Sequence, residues 1–323
     1  MRSGDGWAPA ADRRALELRA RVNARIREFM VSRGILEVET PALLQAVDPA
    51  AALQPFRVEA GDGRRWLHTS PELPMKRLLA AGSGPIYQLC HVWRDGERGR
   101  RHNPEFTLLE WYRPGFSLSA LMDEVEALVH HVTEGIRELP APFLRLSWAE
   151  AMTRCAGLAD PHRADIPALR ETLAVAGVDV ADAGGEALDT WRDLVLVHCV
   201  EPALPPSVFL HDYPASQAAL ARIRPGDPPV AERFECYLGG MELANGFLEL
   251  TDPVEQRRRF EAENRARAAA GLEPLPIDEA FLAALEAGLP ECAGVALGVD
   301  RLLMWLTGAD AIDAVLAFPW ERA

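Results

Sequence analysis

With 323 residues, 49% of them apolar and 25% charged, the chain has the composition of an ordinary globular protein and the length for a substantial core. Lys+Arg 34 against Asp+Glu 48 leaves a net charge of −14, a field that argues against a protein built to grip long stretches of nucleic acid. It leaves room for a local basic site, because Arg94, Arg98, Arg100 and Arg101 share one loop.

Asp12 reads as the N-cap of a helix to about Arg33, with Leu18, Val22, Ile26, Phe29 and Met30 on one face and Gly34 as its stop. Ile35 to Thr40 alternates as a strand ended by Pro41, and 65–68 reads as another. Ser70 can cap a helix from Pro71 to Ala81, closed by Gly82. Alternation returns over 86–93 and 105–112, two strands joined by the arginine-rich loop, and an amphipathic helix follows over 118–132. From about 147 to 200 the pattern is helical but weaker, broken by the Ala/Asp/Gly-rich stretch 177–186. We read it as a helical insertion (about 147–206) within a single domain spanning 1–323. Strands are expected at 207–211, 231–237 and 241–250, and helices at 253–270 and 277–287. A glycine-interrupted segment, 294–300, then leads into a helix from Arg301.

Strands bunched in two hairpin-like groups between helices predict an α+β fold, a mixed and mainly antiparallel sheet flanked by helices. No G-x-x-x-x-G-K-[ST] loop and no G-x-G-x-x-G turn after a strand is present, so the usual P-loop and Rossmann routes to a nucleotide are unsupported. The five cysteines are scattered and odd in number, without disulfide-framework, zinc or redox spacing. No apolar leader opens the chain and no stretch approaches the roughly 18 apolar residues of a membrane span, so a cytoplasmic location is expected.

Four segments carry side chains suited to chemistry. In Thr69-Ser70-Pro71-Glu72 a carboxylate sits in the first turn of a predicted helix, where capping is the simplest account. In the second, Arg94 ends a strand. Arginine forks grip phosphates bidentately, and Gly96 and Gly99 let the loop fold over a nucleotide; a solvated turn is the plainer alternative. Beyond that loop Glu110 and Tyr112 share a strand face. A carboxylate among apolar strand residues calls for a cation, which an amine-bearing substrate would supply. In the third, Glu242 to Glu249, alternation puts Asn245, Phe247 and Glu249 on one face and Glu242 on the other. A bulge or bend at Gly246 is needed to bring both glutamates to one magnesium ion. In the fourth, Gly294 to Arg301, glycines before a helix start allow close backbone approach, and Arg301 reinforces an anion site.

In order and content these segments resemble the class II aminoacyl-tRNA synthetases, closest to the lysyl catalytic domain, over nearly the whole chain. The stretch of about 22–41, ending in Glu39-Thr40-Pro41, is similar to the first motif, which builds the dimer interface. The second motif matches 86–114, with the highly specific run Arg101-His102-Asn103-Pro104-Glu105-Phe106-Thr107, and the third matches 294–307, with GVALGVDRL. Between them, 232–260 is similar to the lysyl-type substrate strand. Two departures resemble the truncated paralogues that attach (R)-β-lysine to a lysine of translation elongation factor P. About a dozen residues precede the first helix, so an anticodon-binding OB domain is expected to be absent, and Ala296 stands where the third motif usually has glycine. The ending Trp111-Tyr112-Arg113-Pro114 is also similar.

The resemblance implies ATP and Mg2+ as cofactors, with formation of an acyl-adenylate before transfer to an acceptor. It puts Arg94 and Arg301 on the phosphates and Asp95, Gly96, Glu97, His102, Asn103, Phe106, Glu242, Leu243 and Gly298 around ATP. Ser70, Pro71, Glu72, Glu110, Tyr112, Asn245, Phe247, Glu249 and Ala296 would hold the lysine-like substrate, and Glu242 and Glu249 the metal. Gly96 stands where the second motif usually has an acid, which leaves Glu97 or a backbone group to replace it. A methyl group at Ala296 would crowd a substituent on the α carbon and favour an amine moved to the β carbon, by ~1–3 kcal/mol. The expected partners are elongation factor P as acceptor and a second copy of the chain through the first motif; tRNA is disfavoured by the acidic charge. A truncated lysyl-type enzyme that activates α-lysine for tRNA or another acceptor is the alternative. A non-catalytic regulatory paralogue is the third reading, against which stands the retention of Arg94, Glu242, Glu249 and Arg301.

Overall fold

The computed structural model describes residues 7–61, 63–180, 185 and 187–323. Helix α1 (Arg13–Ser32) starts where the Asp12 carboxylate accepts the Ala15 N–H at 2.8 Å, and it buries Val22, Ile26, Phe29 and Met30. Gly34, at φ +68°, ends it in the left-handed region that favours glycine. The strand expected over 35–40 shrinks to β1 (Leu36–Glu37), because the chain turns off to β2 (Leu43–Leu44). With β3 (Arg57–Ala60) and β4 (Gly63–Leu67), β2 builds a small sheet in the order β2-β4-β3, of which the sequence had signalled only β4. Then come α2 (Glu72–Ala80), β5 (Ile86–Trp93), β6 (Glu105–Pro114) and α3 (Leu118–Thr133), within two residues of their expected bounds.

The weakly helical stretch resolves into β7 (Leu144–Ser147), α4 (Trp148–Ala156), α5 (Ile166–Val175) and α6 (Leu188–Val195), the last running on into a π-helical turn over Leu196–Val200. Residues 181–184 and 186 of the Ala/Asp/Gly-rich break lie outside the described residues. β7 was unexpected: four residues are too few to display a period, and its pairing partner β8 (Ser207–Pro214) is distant in sequence. The rest comprises β9 (Ile223–Arg224), β10 (Val230–Leu238), β11 (Met241–Leu248), α7 (Pro253–Ala269), α8 (Glu279–Gly288), β12 (Cys292–Gly298) and α9 (Val299–Thr307).

The main sheet runs β1-β5-β6-β12-β11-β10-β8-β7, with β9 beside β10. Among the described residues only β1–β5 and β7–β8 pair in parallel, so the sheet is mixed and mainly antiparallel, as expected. One face packs Leu109, Trp111, Val295, Leu297, Phe234 and Cys236 against α1, α3 and α9 in the principal core. The other face carries the polar residues of the four segments, and α2 and α8 wall it with a second core of Leu73, Met75, Phe281 and Leu285. No helix of the described residues is long and apolar enough to cross a membrane, and none of the five cysteines is in a disulfide.

Candidate active site

Antiparallel pairing sets side chains in rows across the sheet, because directly opposed residues point to the same face. One row runs Glu110–Ala296–Asn245–Glu235, and the next, two residues along, Tyr112–Gly294–Phe247–Arg233. Gly294 is required here: a Cβ at that position would lie 2.3 Å from both Glu249 Oε1 and Tyr112 Cε1. Its missing side chain lets a glutamate and a tyrosine close over the sheet.

Above these rows lies a cavity of about 240 Å³, lined among others by Ser70, Glu72, Glu110, Tyr112, Asn245, Phe247, Glu249 and Ala296. The Ser70 hydroxyl donates to Glu110 Oε2 at 2.7 Å, the Tyr112 hydroxyl to Glu110 Oε1 at 2.7 Å, and the Glu72 N–H to Ser70 Oγ at 3.0 Å. Ser70 therefore faces the site as well as the helix start; Pro71 holds the N-cap position of α2 and does not line the cavity. Beneath the floor the buried Lys76 ammonium lies 2.5 Å from Glu72 Oε1 and 2.5 Å from Glu249 Oε2. Burial opposes that ammonium, but the Glu249 and Glu72 carboxylates outweigh it and raise its pKa. Burial, then Glu72, pushes Glu110 up to about 7. Burial pushes Glu249 up to about 8, against the pull of Lys76. These crowded, buried carboxylates are suited to receiving a further cation.

A second cavity, of about 270 Å³, shares Arg94, Asn245 and Ala296 with the first as a common wall. Its lining includes Glu97, Arg101, His102, Asn103, Phe106, Glu242, Leu243, Gly298 and Arg301. Arg94 is held by an Nε–H bond to the Thr69 carbonyl at 3.2 Å, by Glu97 at 3.5 Å and by the Phe106 ring, 5.1 Å from its Cζ. Arg301 donates to the Glu242 carbonyl at 2.8 Å and to its Oε2 at 3.2 Å, and meets His102 Nε2 at 2.8 Å. Burial, then Arg301, lowers the His102 pKa, and Arg94 and Arg101 act in the same direction. Asp300, buried at the start of α9, accepts the Thr107 N–H at 2.6 Å and pairs with Arg19, which fixes the helix start that aims Arg301.

Two expectations need correction. Glu242 and Glu249 are not brought together: Glu242 opens on the arginine-lined cavity, whereas Glu249 is buried against Lys76 under the other. The bulge in this strand falls at Leu243, between the pairs Cys236–Ala244 and Tyr237–Glu242, and Gly246 stays in register because the Phe234 ring packs where its Cβ would be. The carboxylates that crowd Glu242 are Glu235 and Glu201, the latter pushed up to about 7 by burial, then by Glu235 and Glu242. A joint magnesium site of Glu242 and Glu249 does not fit, and the described residues hold no cluster of three or more metal-ligating side chains. In the arginine-rich loop, Asp95 and Gly96 do not line the cavity; Gly96 makes the turn at φ +80°, and Glu97 reaches back to Arg94.

Sequence reading missed Asp48, which lines the first cavity, and Lys76 below it. It also missed Arg233, whose Nε–H donates to Asn245 Oδ1 at 3.2 Å and so leaves the Asn245 NH₂ to serve as a donor at the wall between the cavities. Arg233 is in turn paired with Glu235, whose Oε2 accepts the Tyr213 and Tyr237 hydroxyls at 2.6 Å each.

Residues 9–322 match the family described as tRNA synthetases class II (D, K and N). The chain is 49% identical to the elongation factor P–(R)-beta-lysine ligase of Proteus mirabilis strain HI4320, over 98% of each chain. It is 49% identical to that of Erwinia tasmaniensis and 48% identical to that of Vibrio cholerae, again over 98% of each. A match along almost the whole sequence, on a mixed sheet carrying an arginine-lined and a carboxylate-lined cavity side by side, means that the chain belongs to the class II tRNA synthetase family.

Proposed function

We propose that this ATP-dependent ligase activates (R)-β-lysine as an adenylate and transfers it to a lysine side chain of translation elongation factor P. The observation that carries the reading is the shared wall of Arg94, Asn245 and Ala296 between the two cavities. A lysine isomer held by its amines among Glu72, Glu110, Tyr112 and Glu249 directs its carboxylate to that wall. ATP along Arg94, Arg301, His102 and Phe106 brings its α-phosphate to the same place. The carboxylate oxygen attacks the α-phosphorus, the bond to the bridging oxygen breaks, and pyrophosphate leaves. The two arginines stabilise the charge that develops, and positioning supplies much of the rest. The neutral amine of an acceptor lysine then attacks the acyl carbon, AMP departs, and the nitrogen gives up a proton to leave an amide. Magnesium would supply further phosphate neutralisation; Glu242, which opens on the arginine side, is the residue to meet it.

The relatives' names and the acidic charge of the chain support a protein acceptor over tRNA. Exposed Val31, Leu36 and Leu43, on α1 and the short strands after it, support a homodimer through the first motif. A cytoplasmic enzyme is the matching location.

The test is ATP–pyrophosphate exchange driven by β-lysine or α-lysine. The wild type is expected to exchange faster with β-lysine, and Ala296→Gly to shift the β-to-α ratio by roughly 10-fold or more toward α-lysine. No exchange with either isomer overturns the reading, and an unchanged ratio removes the steric role of Ala296.

A further inference from the structure

Four carboxylates line the amine-side cavity: Asp48, Glu72, Glu110 and Glu249. They fall into two groups. Glu110 and Glu249 stand on and beside the sheet with Tyr112 between them. Glu72, at the first turn of α2, and Asp48, in the segment between β2 and β3, line it from outside the sheet. After burial, the largest influence on Asp48 is Glu72, whereas Glu249 responds to Lys76, Glu72 and Glu110. Glu72 links the two groups, because after burial it is also the largest charge acting on Glu110.

Lys76, the buried cation beside this cavity, is committed to Glu72 and Glu249. Asp48 accepts the Ala50 N–H at 3.1 Å and has no ion-pair partner among the described residues. Burial and Glu72 push it up to about 7, a carboxylate lacking a cation. Its segment is well fixed. The Ala51 N–H donates to Glu263 Oε2 at 2.8 Å, and Arg267 donates to the Leu53 carbonyl at 3.1 Å and to Gln54 Oε1 at 3.0 Å. An acid held rigidly on a cavity wall beside a second acid is preorganised for a charged guest.

We propose that Asp48, together with Glu72, receives the inner ammonium of a diamino-acid substrate while Glu110 and Glu249 receive the terminal one. Asp48 is then the residue that selects two-amine substrates over those with a terminal amine alone. This rests on the reading of the cavity as the site for a lysine isomer. It assigns a role to a residue outside the four motif segments, and it defines the substrate class as a carboxylic acid with two separated ammonium groups.

The test crosses a side-chain change with a ligand change. Dissociation constants of β-lysine and of 6-aminohexanoic acid, which lacks the inner amine, are measured for the wild type and Asp48→Asn by titration calorimetry, the weaker ligand by displacement. Asp48→Asn is expected to weaken β-lysine roughly 10- to 100-fold, the loss of one charge-assisted contact, and to leave 6-aminohexanoic acid within about 3-fold. The retained binding of the one-amine ligand also reports an intact fold. Equal weakening of both ligands, or none of either, overturns the assignment to Asp48 while leaving the cavity's reading in place. A wild type that binds no lysine isomer overturns both.

Discussion

Arg94→Ala is expected to slow adenylate formation by about 100- to 1000-fold, the range seen when one preorganised donor is removed from a developing anion. The guanidinium is immobilised on three sides, by the Thr69 carbonyl, by Glu97 and by the Phe106 ring, and it lies on the wall common to both cavities. A group fixed there acts where carboxylate and α-phosphate meet, so its loss should appear in the rate of exchange more than in the KM for β-lysine. Arg94→Lys should recover little, because an ammonium keeps the charge but loses the planar fork and the stacking on Phe106. Exchange in Arg94→Ala within threefold of the wild type would place the chemistry elsewhere.

The second large effect is on stability. Lys76→Met is expected to cost about 3–5 kcal/mol, because it leaves Glu72 and the buried Glu249 facing each other without a cation. For a domain of this size that lowers the melting temperature by about 4–7 °C. Lys76→Met combined with Glu249→Gln removes the stranded charge and should regain most of the loss, yet remain poor in binding the substrate amine.

The pH dependence has a definite sign. Glu110 and Glu249 are raised from 4.5 to about 7 and about 8. Their contribution to stability is therefore full below about pH 4.5 and is lost as pH rises through 7 and 8. Lys76→Met should steepen that loss, measured by thermal melts between pH 5 and 9. A melting temperature unchanged in Lys76→Met would mean that the lysine is not holding the floor of the cavity together.

Much of this site lay open in the sequence because strand alternation and rows across a sheet obey local rules. Glu110 and Tyr112 fall on one face as period two requires, and Asn245, Phe247 and Glu249 line the same cavity. Arg94 and Arg301 meet one cavity because each lies at a junction, the end of β5 and the start of α9. What stayed hidden depends on contacts distant along the chain. Asp48 lies in a segment without periodicity, pinned by Glu263 and Arg267 over two hundred residues later. Lys76 reads as an ordinary helix residue, since lysines are rarely buried, and only the fold brings Glu249 to it. The position of the bulge was also beyond local reading: Gly246 looked like the bend, but the Phe234 ring needs that glycine in register, and the extra residue falls at Leu243.

The central claim is that adjoining phosphate and amine cavities make an adenylate of a lysine isomer and hand it to a protein. The most direct measurement supplies the purified enzyme with ATP, magnesium and labelled β-lysine, with elongation factor P and tRNA present together. The account predicts label on elongation factor P in a base-stable amide, with none on tRNA. Label on tRNA with none on the protein would contradict it.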